Sequence, residues 1–153
     1  MIMDNDPAGM AIAFCNAINR YSEHTCRVIT TQERYGFNFE SDIHIPDIED
    51  DDFGEIEQLL TDSDIVHFHM LRDEHSHLGP LVIRDYISGK KILHHHHGHP
   101  DFLINKDAFN EKYKKLERQV VVSTPDLLKV ARDAVWVPNL VPIHDVQFMP
   151  RYE

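Results

Sequence analysis

Short runs of β-branched residues alternate along this chain with segments whose apolar residues recur at helical spacing, and this alternation constrains the fold most. Arg27-Val28-Ile29-Thr30-Thr31, Asp64 to Phe68, Lys90 to His95, Gln119 to Ser123 and Val135-Trp136-Val137 each read as a strand, because such residues suit a pleated, half-buried surface. Ile2-Met3 is a first short strand and Ile43-His44-Ile45 a third, stopped by Pro46. Between them, Met10, Ile12, Ala13, Ala17, Ile18 and Tyr21 mark a helix over Met10 to Tyr21. Further helices are expected over about Phe53 to Leu60, after Gly79-Pro80 (Leu81, Val82, Ile83, Tyr86 and Ile87 inward, Gly89 ending it), over Asp107 to Leu116, and from Thr124-Pro125, with proline in the first turn. Strand and helix in unbroken succession predict βα units around a parallel sheet. The expected fold is a single doubly wound, Rossmann-like α/β domain with a mainly parallel sheet of six or seven strands. Trp136, between two valines of the last strand, is expected to be buried.

A chain of 153 residues can build one domain with a real core. No apolar run approaches the roughly 20 residues of a membrane helix, and no basic-plus-apolar leader is present. A cytoplasmic protein is therefore expected. The net charge of −11 argues against general nucleic-acid binding, which requires phosphates to be neutralised. Cys15 and Cys26 form no metal motif and read as buried free thiols.

The richest chemistry lies in Ile92-Leu93-His94-His95-His96-His97-Gly98-His99-Pro100, with five imidazoles in six residues directly after a strand. A second pair, His67 and His69, follows Asp64-Ile65-Val66. Side chains leaving the carboxyl ends of parallel strands line the ligand crevice of such folds. Alternation along a strand puts His94 and His96 on one face and His95 and His97 on the other. Three readings stand side by side: a metal site, core histidines bonded to backbone, and a catalytic imidazole that orients or deprotonates a hydroxyl. Neither HExxH nor a Cys/His finger spacing occurs. At the first strand's end, Asp6-Pro7-Ala8-Gly9 forms a turn before a helix, a geometry that suits a phosphate, although Gly9 is its only glycine.

Four segments in register extend this. Asp64-Ile65-Val66-His67-Phe68-His69, then Lys91 to Gly98, then Val121-Val122-Ser123-Thr124-Pro125, then Val137-Pro138-Asn139-Leu140-Val141-Pro142-Ile143, resemble the amino-terminal half of GT-B glycosyltransferases. The likeness is to the retaining group of these nucleotide-sugar enzymes, which includes sucrose and trehalose-type synthases and mannosyltransferases. There a D-I/V-V-H-x-H segment ends the fourth strand. A strand ending in H-G, a V-S strand and a P-N-G-V-D segment follow, the last leading into a second Rossmann-like domain. Leu140 stands where that group has glycine, and Pro142 near its acidic position.

The resemblance implies an acceptor-side domain over residues 1–143, with 144–153 a tail or the start of a linker to a carboxyl-terminal donor-binding domain outside this chain. Glu49 and Glu57 have the spacing of that domain's E-x7-E motif but precede the fourth strand, and they are read as coincidence. The implied reaction moves a sugar from a nucleotide-diphosphate donor to a hydroxyl acceptor. His97, matching the H-G histidine, is the implied catalytic residue. Gly98, His99, His67 and His69 are implied substrate contacts, and Gly9 lets the first turn approach the donor phosphates. No cofactor or divalent metal is implied, since helix dipoles and basic groups of the second domain can carry the leaving phosphate's charge. Two alternatives are a standalone, non-catalytic Rossmann-like module binding a small anion or metal through the histidine crevice, and a histidine–metal hydrolase using Asp101 or Asp73.

Overall fold

The computed structural model describes residues 1–6, 8–32, 42–49 and 52–141; the expected tail or linker at 144–153 and Pro142 lie outside them. Seven strands form one parallel sheet: β1 Ile2–Met3, β2 Ile29–Thr30, β3 Ile43–His44, β4 Ile65–His69, β7 Lys91–His96, β8 Gln119–Val122 and β9 Val135–Trp136. Two more, β5 His77–Leu78 and β6 Leu81–Val82, make a separate antiparallel hairpin. The sheet order is β3-β2-β1-β4-β7-β8-β9. Winding therefore reverses between β1 and β4, the crevice position for ligands in open α/β sheets. This is the expected doubly wound, Rossmann-like architecture.

Helix α1, Met10–Tyr21, packs on one face through Ala11 and Cys15, against Met3 and Val28. Gly9, at φ 64°, sits just before it in the left-handed region. The opposite face carries α2, Gly54–Asp62, which buries Ile56 and Leu60 against Ile2, Ile29, Val66, Phe68 and Ile92. It also carries α4, Lys106–Lys115, preceded by a short α3, Pro100–Ile104, which the sequence reading did not include. Phe102, Tyr113, Val120, Val122, Leu127 and Ala131 fill that end of the core. Among the described residues no helix is long and apolar enough to cross a membrane.

Two expectations are corrected. The segment opened by Gly79-Pro80 is not a helix: Gly79, at φ 59°, turns the β5–β6 hairpin and Ile83–Asp85 follows as one 3-10 turn. A two-residue loop with glycine first supplies the twist that a hairpin needs, and the residue before proline is disfavoured in the α region. Leu78 and Ile83 are still fully buried. The helix expected from Thr124-Pro125 is present as a short 3-10 helix, Pro125–Lys129, with proline in its first turn. Trp136 is 48% exposed, because β9 is the edge strand; its indole N–H donates to the Ser123 carbonyl at 3.2 Å.

Candidate functional site

Strands β4 and β7 run side by side with His67 opposite Leu93, Phe68 opposite His94 and His69 opposite His95. Parallel neighbours in register present their side chains to the same face. His67, His69, His95 and His97 therefore gather on the face that carries α1, where the Phe14 ring meets His95 edge-on at 5.6 Å. Ring centroids are 4.5 Å apart for His67–His69, 4.9 Å for His69–His95 and 4.2 Å for His95–His97. His69 Nδ1 and His97 Nε2 share a hydrogen bond at 3.0 Å. One ring nitrogen from each of His67, His69 and His95 lies within 4.8 Å of the others.

The opposite face treats its histidines as aromatic core. His96 stacks on Phe102, with centroids 3.7 Å apart and planes 7° from parallel, and its Nε2 meets the Tyr113 hydroxyl at 2.9 Å. His94 lies 4.4 Å from the Tyr113 ring and 5.2 Å from Phe68. The alternation of faces expected from the strand is thus present.

Burial dominates the electrostatics. His69, His94, His95 and His96 are at most 1% exposed, and desolvation disfavours a charged imidazole. It pushes His67, His94 and His96 down to about 3, His95 to about 2 and His97 to about 4, and holds His69 well below its ordinary value. Mutual repulsion among the rings adds to this for His67, His69, His95 and His96. At neutral pH all six rings are uncharged. Several buried nitrogens lack a hydrogen-bond partner among the described residues: His67 Nε2, His69 Nε2, both nitrogens of His95, and His97 Nδ1.

The remaining predicted residues are dispersed. Gly98, at φ 89°, follows His97, and a Cβ there would meet nothing within 4 Å, so the backbone is open to approach. His99 turns to α3, its Nδ1 accepting from the Asp101 N–H at 3.1 Å. The seat expected for a phosphate beside Gly9 is occupied: the Asp6 carboxylate accepts from the Met10 and Ile12 N–H groups at 2.8 and 2.9 Å, so a donor phosphate there would compete with it. Asp73 is bound by Lys112 at 2.8 Å, and Asp101 is 3.9 Å from His99; neither belongs to the cluster of three imidazoles.

The sequence reading missed His95 as a member of a cross-strand cluster. The signal was the pair of H-x-H steps, one in each strand, but the register that joins them is not local. It also missed the ion pair between Arg72, just beyond β4, and Asp4, just beyond β1. Compared with protein-family models, with curated proteins and with solved structures, the chain matches none.

Proposed function

We propose that this chain is the acceptor-side domain of a GT-B-like glycosyltransferase, which moves a sugar from a nucleotide-diphosphate donor to a hydroxyl acceptor once a donor-binding domain completes it. The observation that carries the reading is the coincidence of motif and place. The D-I-V-H-F-H and H-H-G segments, the ones that resemble that family, end the adjacent strands β4 and β7 beside the winding reversal, where such sheets take ligands. His97 is uncharged at neutral pH, so its part is that of a neutral hydrogen-bonding imidazole, not an imidazolium acid; its Nδ1 is buried and unpartnered, so a sugar hydroxyl reaches it only when substrate opens the site. Its Nε2 is engaged by His69, which fixes the ring. The open backbone at Gly98 leaves room for a substrate. Two free thiols, Cys15 and Cys26, fit a reducing, cytoplasmic setting.

The test is NMR of the histidine-labelled chain titrated with nucleotide sugars and with sugar or polyol acceptors. Acceptors are expected to shift His97 and Gly98 first, and the chain alone should transfer no sugar. Robust turnover by this chain alone, or shifts confined to other surfaces, would overturn the half-enzyme reading.

A further inference from the structure

We propose that His67, His69 and His95 bind a divalent late first-row transition metal, zinc foremost, as an all-imidazole site on the α1 face of the sheet. The site goes beyond the transferase reading and does not depend on it. Its geometry comes from the β4–β7 register: His69 and His95 are direct neighbours across the strands, and His67 lies two residues earlier on the same face. Their nitrogens lie within 4.8 Å of one another, and the rings must turn toward a common centre to reach zinc–nitrogen bonds of about 2.0–2.1 Å.

The unpartnered nitrogens point the same way. His67 Nε2, His69 Nε2 and both nitrogens of His95 are buried without a hydrogen bond, an unfavourable state for polar atoms. A single ion would satisfy one on each ring. The His69–His97 bond adds the outer support that metal-binding histidines use. With Nδ1–H donating to His97 Nε2, the lone pair of His69 is left on Nε2. On the opposite face both nitrogens of His94 and Nδ1 of His96 are unpartnered too, but His96 is held by Tyr113 and stacked on Phe102, and among the described residues no third ligand joins them. His67 is the least buried of the three proposed ligands. Imidazoles without carboxylate or thiolate suit zinc, copper or nickel rather than magnesium or calcium.

The experiment uses the full chain, stripped with chelator and reloaded with zinc or cobalt(II) at neutral pH. One equivalent of zinc should survive desalting, and cobalt should give the intense visible bands of a four-coordinate ion. His69→Gln and His95→Gln should each weaken binding by about 100-fold or more, while His24→Gln and His75→Gln, at exposed positions, should leave it unchanged. Where the buried variants fail to fold, His67→Gln is read instead and should weaken binding at least about tenfold. No retained metal, a pale six-coordinate cobalt spectrum, unchanged affinity in the cluster variants, or equal loss in His24→Gln or His75→Gln would overturn the proposal. Neither donor nor acceptor is present in these measurements. Failure here therefore leaves the transferase reading standing, and absence of sugar-induced shifts at His97 leaves the metal site standing.

Discussion

At the scale of single residues, parity along one strand decides what each histidine does. His96 behaves as a flat core group with one polar handle. Tyr113→Phe should cost about 1–3 kcal/mol in urea unfolding, since it leaves His96 Nε2 buried without a partner. Phe102→Ala should cost about 3–5 kcal/mol by removing the stacked ring and leaving a cavity. If Tyr113→Phe proves neutral, the hydrogen bond is not a structural element. His97 differs because it sits where β7 leaves the core. In the proposed transferase, completed by a donor domain, His97→Ala should lower turnover by about 10² or more and cost about 1–3 kcal/mol of stability, since it leaves His69 Nδ1 buried without a partner, with the domain still folded. Rates and melting temperatures for single alanine variants at His94, His95, His96, His97 and His99 check this. Rate losses no larger at His97 than at the other four would make it a structural residue.

At the scale of elements, the β5–β6 hairpin shows how one glycine redirects a segment. A Cβ on Gly79 would stand 2.2 Å from Phe53 Cζ, on a backbone at φ 59°. Gly89 has φ 78° and nothing within 4 Å. Gly79→Ala should therefore cost more than Gly89→Ala, about 2–3 kcal/mol against about 1 kcal/mol, since only the first adds a steric clash to left-handed strain. Equal melting temperatures for the two variants would show that Phe53 moves aside freely. On the edge strand β9, Val135 is 62% and Trp136 48% exposed. Trp136 fluorescence should be red-shifted and accessible to acrylamide. A blue-shifted, unquenched emission would mean that another part of the chain covers this strand.

At the scale of the whole molecule, the buried histidines set the response to acid. Their folded-state values, about 2 to 4 where given, lie below the ordinary value near 6.5. As pH falls through about 6.5, the unfolded chain takes up protons that the folded chain refuses, so the folded state loses stability until pH reaches the folded values. The stabilisation is complete above the unfolded value and declines below it, by up to about 1.4 kcal/mol per pH unit for each such ring. Around His94, Arg118 and Lys112 reinforce the depression and Asp73 opposes it. Acidification from neutrality also relieves the self-repulsion of a chain with net charge −11. That surface effect is screened by salt, whereas the interior effect is not, so the melting temperature should fall between pH 6.5 and 4 in 0.15 M salt. A flat profile across that range would mean that the rings are solvated.

The amino-acid sequence by itself determined the strands that carry the site, the parallel α/β class and the division of the β7 histidines between two faces. Each follows from local chemistry: β-branched runs, helical spacing, and a side-chain period of two. It did not determine the 79–87 segment, where a few apolar residues fit a helix or a hairpin equally and the contact of Gly79 with Phe53 is non-local. Nor did it determine the exposure of Trp136, which depends on β9 lying at the edge, or the Asp6 carboxylate filling the first turn of α1. The histidine cluster was legible only in part. Each H-x-H step is visible in its own strand, but whether the two meet depends on the β4–β7 register. That register pairs strands separated by the whole intervening hairpin and turns, so only the tertiary structure brings His67, His69 and His95 together.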